Sequence, residues 1–121
     1  MVIMIQYRSG ATRQVFLTKR YAIKVPSFYN WKKFLEGVLC NLTEIELSTL
    51  NDPYLCPVVW KSWGGFVIVM PRCREPSEKF FKMEKEYTRH KVISEDLYLS
   101  DGHRRNYGYL GHRLVKIDYG S

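Results

Sequence analysis

Acidic and amide side chains near the end of the chain have the types and spacing of a metal–phosphate site. Asp101, His103 and Asn106 lie at offsets 0, +2 and +5, and Asp118 directly follows the apolar run 114–117. Such a run predicts a buried strand that ends at the carboxylate. Two Asp and one Asn, brought together by a strand–loop–strand path, offer hard oxygen ligands, which suit Mg²⁺ holding a polyphosphate. The spacing therefore predicts a magnesium and phosphate site.

The loop that opens this pattern also carries cationic groups. Arg104 and Arg105 stand between the two carboxylates, where anionic oxygens would need screening. His103 has two interpretations: it braces the loop by hydrogen bonding, or it is a second acid–base group.

A lysine on a predicted strand is the candidate phosphate contact in the first half of the chain. Residues 21–25 alternate so that Ala22 and Lys24 share one face. This places an ammonium beside a small side chain and leaves space for a flat ring. A solvent-facing lysine is the alternative interpretation.

Before this strand, the residues around Gly10 predict a tight hairpin between strands over 2–7 and 14–17. Backbone N–H groups in such a turn can approach phosphate oxygens. An ordinary turn is the alternative.

The longest predicted element is an amphipathic helix over about 30–50, with Ser27 as its N-cap. Its apolar side chains recur at helical spacing, and we expect most of them to lie in the core. Glu44 and Glu46 lie near its end, where either can reach a strand lysine. On a regular helix Glu46 lies at the edge of the apolar face, and Glu44 lies on the side opposite that face. The apolar positions are Trp31, Phe34, Leu35, Val38, Leu42 and Ile45.

The second half begins with a predicted hairpin of residues 56–60 and 66–70, after which 71–73 form a linker. A second helix is predicted over 77–90. A mixed segment over 92–99 then leads into the loop of Asp101. The predicted fold class is α+β.

Length and composition indicate a single globular domain over residues 1–121. No apolar stretch approaches the roughly 18 residues of a membrane span, and the N-terminus lacks the features of a signal peptide. The three cysteines have no metal-ligand spacing and are typical of thiols in a reducing cytoplasm. The net charge is +7, and residues 1–35 hold seven Lys or Arg and no acid. This charge favours a phosphate-rich ligand or nucleic acid.

The order of motifs resembles the protein kinase-like superfamily. Tyr21-Ala22-Ile23-Lys24 matches the strand lysine motif, and Asp118-Tyr119-Gly120 matches the metal-binding Asp-aromatic-Gly. The loop Asp101-x-His103-x-x-Asn106 is closer to aminoglycoside and choline kinases than to protein kinases. The run Asn41-Leu42-Thr43-Glu44 looks like very short kinase-like proteins carried by phages.

The resemblance implies a minimal protein kinase-like fold. An N-lobe-like part over 1–70 would have an antiparallel sheet and one αC-type helix. A hinge, a helix and a hairpin with the catalytic and metal loops would follow over 71–121. The C-lobe is expected to be largely missing, because the chain stops at Ser121 without an activation segment.

The resemblance also implies roles for single residues. Lys24 would bind the α/β-phosphates of ATP and pair with a helix glutamate, for which it favours Glu44. Asp101 would act on the acceptor hydroxyl, and His103 would brace the loop. Asn106 and Asp118 would hold Mg²⁺.

The nucleotide base has its own predicted contacts in the same resemblance. Val15, Ala22 and Met70 would surround adenine, and Gly10 would lie over the phosphates. Arg8 and Arg13 occupy the outer glycine positions of the family's loop, which restricts backbone approach to the phosphates, although two guanidiniums can partly substitute.

The favoured function is an ATP–Mg²⁺-dependent phosphotransferase of phage type with an unknown acceptor, located in the cytoplasm, which is the host's if a phage encodes it. The alternative is an inactive pseudokinase that binds a nucleotide or a host protein. Nucleic-acid binding is the weaker interpretation, because no recognised motif accompanies the charge. A second copy that completes the missing lower lobe is a further hypothesis.

Overall fold

The computed structural model describes residues 6–9 and 12–120, and for 6–9 it describes the backbone. The first half of the chain forms an antiparallel sheet of five strands in the order β1-β2-β3-β5-β4. These strands are β1 (Gln6–Ser9), β2 (Arg13–Leu17), β3 (Tyr21–Pro26), β4 (Trp60–Lys61) and β5 (Ile68–Pro71). Helix α1 (Trp31–Ser48) crosses from β3 to the segment before β4 and packs on the sheet.

The sheet register places the predicted ligand-binding positions side by side. Val15 on β2 is opposite Lys24 on β3, and Ala22 on β3 is opposite Met70 on β5. The strand predictions over 14–17 and 21–25 agree with β2 and β3. The predicted turn at Gly10 and strand residues 2–5 lie outside the described residues.

The N-cap of helix α1 lies three residues later than predicted. Asn30, not Ser27, is the N-cap, and its side chain accepts a hydrogen bond from the backbone of Lys33 at 2.8 Å. Ser27 is buried, and its hydroxyl accepts from the backbone of Tyr29 instead. The helix ends at Ser48, and Asn51 then turns the chain with φ of 56°.

The prediction that the apolar side of α1 faces the core is wrong. The buried residues of α1 are Gly37, Cys40, Asn41 and Glu44. Two glycines explain this orientation. A Cβ on Gly37 would lie 2.3 Å from the carbonyl oxygen of Thr12, and one on Gly120 would lie 2.3 Å from that of Cys40. The backbone therefore approaches α1 too closely for large side chains on that face.

Ile45 packs partly against the core, whereas the N-terminal part of the predicted stripe lies on an exposed surface, which we call the α1 aromatic surface. Trp31 is 72% exposed, and Trp63, in the 3₁₀ turn Trp63–Gly65, is 88% exposed. Neighbouring ring centroids lie 5.4 to 6.1 Å apart, so the rings form a continuous cluster in which Phe34 contacts three others. The cluster consists of Phe28, Trp31, Phe34, Phe66 and Trp63.

The predicted hairpin of 56–60 and 66–70 is shorter than expected. Cys56 is not in a strand: its backbone N–H donates to the carbonyl of Lys116 at 2.8 Å, and its side chain is buried. Strand β4 contains Trp60 and Lys61. The apolar character of 56–58 reflects packing against the second half of the chain.

That second half contains α2 (Phe81–Thr88), α3 (Glu95–Leu99) and a hairpin of β6 (Tyr107–Leu110) and β7 (Arg113–Lys116). Helix α2 is shorter than the predicted 77–90, and α3 lies within the segment predicted as mixed. Two buried clusters hold this half together. One joins it to the sheet through Val115, Tyr119 and Ile68, and the other packs Phe81 and Tyr98 around Tyr107.

Among residues 6–9 and 12–120, no helix combines the length and the apolar character needed to cross a membrane.

Candidate functional site

A cleft of roughly 1440 Å³ lies between the sheet and the β6–β7 hairpin. All of the predicted site residues except Glu44 and Gly10 line it: Val15, Ala22, Lys24, Met70, Asp101, Asn106 and Asp118. Glu44 lies fully buried behind Lys24, and Gly10 is outside the described residues. Residues from three strands and two loops thus converge on one space.

Lys24 and Glu44 form a buried ion pair at the back of the cleft. The Lys24 ammonium lies 2.7 Å from Glu44 Oε1, and the Glu44 side chain is fully buried. Glu46 is exposed, so Glu44 is the glutamate that contacts the strand lysine. Lys24 Nζ also donates to the carbonyl oxygen of Ile117 at 2.6 Å. Because Ile117 directly precedes Asp118, this bond ties the lysine strand to the backbone that carries the predicted metal ligand.

Arg13 joins the same charge cluster, which the sequence did not predict. Its guanidinium donates to Glu44 Oε2 at 3.1 Å, to Asn41 Oδ1 at 3.1 Å and to Asp118 Oδ1 at 2.6 Å. Burial opposes its charge, but the Glu44 and Asp118 carboxylates outweigh burial, so the pKa of Arg13 is raised. Arg13 therefore holds the helix glutamate and the loop aspartate together.

The loop of Asp101 has a strained backbone that its neighbours fix. Asp101 has φ of 42°, a left-handed conformation that is uncommon for a residue other than glycine. Asn106 Nδ2 donates to the Asp101 carbonyl at 2.8 Å, and Lys85 Nζ donates to that of Gly102 at 3.2 Å. The carbonyl of Asn106 accepts from the backbone of Ile117. Strained residues held in this way are common at functional sites.

The oxygens of Asn106 and Asp118 fit a Mg²⁺ ion that is also held by phosphates. The Asn106 amide uses its nitrogen for the loop, and none of the described residues donates to its Oδ1. The Asp118 side chain is 41% exposed, and Arg13 occupies one of its two oxygens. Mg²⁺ at nucleotide sites commonly takes one or two protein oxygens and completes its shell with phosphates and water. No group of three or more His, Cys, Asp or Glu within the described chain is arranged to bind a metal.

The other residues of the Asp101 loop differ in what they contact. The His103 imidazole is 70% exposed, and its Nε2 lies 3.6 Å from Asp101 Oδ1. Arg104 donates to Pro76 and Glu78, so it is held at the edge of the cleft. Arg105 is exposed and has no partner among the described residues. Of the two arginines expected to screen anionic oxygens, Arg105 is the one that is free to do so.

Basic groups outnumber acids around the cleft, seven to four. Such an excess focuses a positive potential into a concave site and favours an anionic ligand. The basic residues are Arg13, Lys19, Lys24, Arg72, Arg74, Arg104 and Arg105, and the acids are Glu36, Glu75, Asp101 and Asp118.

Sequence reasoning also missed a buried lysine beside the Asp101 loop. Lys116 is 1% exposed, and its ammonium donates to Ser100 Oγ at 3.1 Å and lies over the Tyr107 ring. Burial lowers the pKa of Lys116, although the carboxylates of Asp101 and Asp118 partly oppose the shift. A lysine within a strand usually faces solvent, so the pattern alone does not reveal that Lys116 is buried.

The sheet, the helix behind it and the hairpin that supplies the loop acids are consistent with part of a protein kinase-like fold. One solved structure with a similar fold is the ternary complex of streptomycin and ATP with APH(2")-IIa, an aminoglycoside phosphotransferase. The TM-score is 0.53 at 15% identity, and the alignment covers 97% of this chain and 65% of that one. At this identity the likeness concerns the fold alone.

The chain thus spans just under two thirds of that neighbour's length. No protein-family model matches the sequence, and no curated protein matches it.

Proposed function

We propose that the chain is an ATP-dependent phosphotransferase that acts with Mg²⁺. The observation that carries the proposal is the joining of Lys24, Glu44 and Asp118 in one charge cluster, with Asp101 and Asn106 around the same cleft. Phosphoryl transfer depends mainly on positioning and on stabilising charge, and this cleft supplies both.

In the proposed reaction, an acceptor hydroxyl oxygen bonds to the γ-phosphorus of ATP as the bond from that phosphorus to the bridging β,γ-oxygen breaks. ADP leaves, and the hydroxyl proton passes to the Asp101 carboxylate. Lys24, held by Glu44, contacts the α/β-phosphates, and Val15, Ala22 and Met70 enclose the base. Asn106 Oδ1 and Asp118 would hold Mg²⁺, which would neutralise charge on the phosphates.

The origin and location are part of the same proposal. The short phage-carried kinase-like proteins that the Asn41–Glu44 run resembles support a phage origin and action in the host cytoplasm.

The experiment is a measurement of ADP formation from ATP and Mg²⁺, with water or added alcohols as acceptor. The wild type should form ADP, whereas Asp101→Asn should lose turnover while still binding the nucleotide. An Asp96→Asn variant, which changes an exposed acid on α3, is the matched control and should keep wild-type turnover. Equal rates in Asp101→Asn and wild type would contradict the assignment of Asp101.

A second candidate function is binding to another protein, and the α1 aromatic surface favours it. Exposed apolar patches of this kind commonly mark interaction sites. Lys32 directly follows Trp31, Lys61 lies two residues before Trp63, and both are exposed. Lys33 lies 5.4 Å from the ring centre of Tyr29, the residue after Phe28, whereas Glu36 lines the cleft instead. The partner we propose is therefore a protein segment with apolar side chains flanked by carboxylates. A second copy fits less well, because it would bring lysines against lysines.

All three tryptophans of the chain, Trp31, Trp60 and Trp63, are exposed and report on this region. An amphipathic helical peptide with Leu on one face and Glu on the other should shift their fluorescence to the blue, and the same peptide with Lys for Glu should not. Equal shifts with both peptides, a shift with neutral lipid vesicles instead, or concentration-dependent dimers by light scattering would each contradict this partner.

A further inference from the structure

Two of the three thiols lie against each other on the floor of the cleft. The Sγ atoms of Cys56 and Cys73 are 3.7 Å apart, and both residues are free cysteines. Both also line the cleft, beside Met70. The third thiol, on Cys40, lies 3.8 Å from the hydroxyl of Thr12.

The two cysteines belong to segments that the fold holds separately. The backbone of Cys56 is fixed to Lys116, and the residue is 1% exposed within the core. Cys73 follows the end of β5 by two residues and is partly exposed. Both sulfurs approach the carbonyl oxygen of Pro71, at 3.6 and 3.8 Å. A bond between them would therefore join the connection after α1 to the segment that leaves β5.

The environment divides the pair into an attacking and a resolving thiol. The hydrogen bond from Cys56 lowers the pKa of Cys73, and the nearby Lys24 charge acts in the same direction, although burial opposes them. The pKa of Cys56 is raised by its hydrogen bond to Cys73 and by burial. The thiolate is the reactive form of a cysteine, so the partly exposed sulfur is also the more nucleophilic one.

We propose that Cys56 and Cys73 form a peroxide-sensitive dithiol, a modification site that closes to a disulfide across the floor of the cleft. The oxidant is hydrogen peroxide. The Cys73 thiolate takes one oxygen as the O–O bond breaks, which gives a sulfenic acid and a hydroxide that is protonated to water. The Cys56 sulfur then bonds to the Cys73 sulfur as the S–O bond breaks. The hydroxide that leaves takes the Cys56 proton, so two thiols and one peroxide give one disulfide and two waters.

The disulfide alters the cleft because an S–S bond is about 2.05 Å long, well short of the separation of the two thiols. Closing that gap draws the segment after β5 towards Cys56. Met70 and Pro71 end β5 directly before this segment, so the wall beside the proposed base-binding residues moves with it.

The test uses the full chain, oxidised with one equivalent of hydrogen peroxide and then denatured under acid. Free thiols should fall from three to one, the mass should fall by two hydrogen atoms, and peptide mapping should find Cys56 joined to Cys73. Dithiothreitol should restore all three thiols. A disulfide that includes Cys40, a disulfide between chains, or three intact thiols would overturn the proposal.

Three serine variants sharpen the result, and circular dichroism shows whether each is folded. Cys40→Ser is the matched control, and its two thiols should still pair. Cys56→Ser should stop at the sulfenic acid on Cys73, which dimedone traps. Dimedone labelling at Cys40 alone in that variant would contradict the reactive role of Cys73.

The thiol chemistry and the proposed phosphotransfer can fail separately, because mass and thiol counts do not depend on nucleotide. If the wild type binds ATP, the oxidised protein should bind it at least threefold more weakly, and dithiothreitol should reverse the loss. The Cys73→Ser variant should show no change in ATP affinity on oxidation, and a change there as large as in the wild type would overturn the link between the disulfide and the cleft.

Discussion

The side chain of Glu44 connects the chemistry of the site to the stability of the fold. Its carboxylate is fully buried and meets two cations, Lys24 and Arg13. Burying charge is costly unless each group is paired, so removing the anion that both cations share leaves Lys24 without a carboxylate and Arg13 with Asp118 alone.

The first prediction follows from this arrangement. Glu44→Gln should lower the free energy of unfolding by about 3 kcal/mol, as is typical when one partner of a buried ion pair is removed. Glu46→Gln is the matched control, since Glu46 is exposed two residues away, and it should change stability by less than about 0.5 kcal/mol. Urea denaturation measures both free energies of unfolding. Equal losses of stability in the two variants would contradict the buried ion pair between Glu44 and Lys24.

The second prediction concerns the competition for Asp118. Arg13 occupies Asp118 Oδ1, an oxygen that a metal ion would also use. Arg13→Gln should therefore tighten Mg²⁺ binding about fivefold, which corresponds to the roughly 1 kcal/mol of a half-exposed ion pair.

Arg105→Gln provides the control for this experiment, because it removes the same charge from the cleft without touching Asp118. Titration calorimetry with Mg²⁺ alone should show little tightening in that variant. Equal tightening in both variants would mean that only the total charge of the cleft matters.

A third prediction comes from buried tyrosines. Burial raises the pKa of Tyr107 to about 12 and also raises the pKa values of Tyr98 and Tyr119 above the ordinary value of 10.0. Each tyrosine therefore stabilises the native state fully below pH 10, and this contribution is lost as pH rises through the folded-state pKa. The slope is about 1.4 kcal/mol per pH unit for each group. Lys116 has the opposite effect on stability, because burial lowers its pKa. Between that lowered pKa and the ordinary value of 10.5, its contribution to stability rises with pH.

Because three tyrosines outweigh one lysine, the net loss should begin near pH 10, where the unfolded tyrosines ionise. Urea denaturation between pH 8 and pH 12 tests this, with phenolate absorbance recorded on the native protein. If native tyrosines ionised as readily as those of the denatured chain, their burial would not have the stated effect.

At the scale of elements, helix α1 shows what a periodic pattern leaves open. The spacing of its apolar residues correctly predicts a helix, but it does not reveal which face meets the sheet. Gly37 and Gly120 allow backbone to approach the face that carries Asn41 and Glu44, so the polar cluster is buried and the aromatic side is left outside. The relevant signal in the sequence was the single glycine within the helix, because such a glycine often marks a close approach.

The fourth prediction tests this orientation. Gly37→Ala should destabilise the protein by about 2 kcal/mol, as expected for overpacking, because the new Cβ would lie 2.3 Å from the carbonyl of Thr12. Leu39→Ala, which truncates an exposed side chain on the same helix, should cost less than about 1 kcal/mol. Thermal unfolding followed by circular dichroism compares the two variants. A larger loss of stability in Leu39→Ala would mean that the face carrying Leu39, and not the face carrying Gly37, packs on the sheet.

For the whole molecule, the sequence motifs indicated which residues come together better than the hydrophobic periodicities did. The Ala22-x-Lys24 strand, the Asp101 loop and the strand before Asp118 surround one cleft as their order implied. The place of Arg13 was not predictable, because an arginine near a turn is usually exposed and only the fold brings it to Glu44 and Asp118. Cys56 and Cys73 are also neighbours only in the folded chain, since 16 residues lie between them in the sequence.

The central claim is that this cleft binds ATP with Mg²⁺ through Lys24 and Asp118. Titration calorimetry of ATP with and without Mg²⁺ tests it directly, on the wild type, Lys24→Met and Asp118→Asn. The wild type should bind ATP more tightly with Mg²⁺, Asp118→Asn should lose this increase, and Lys24→Met should bind ATP at least tenfold more weakly in either condition. A wild type that binds no ATP, or binds it equally well with and without Mg²⁺, would contradict it.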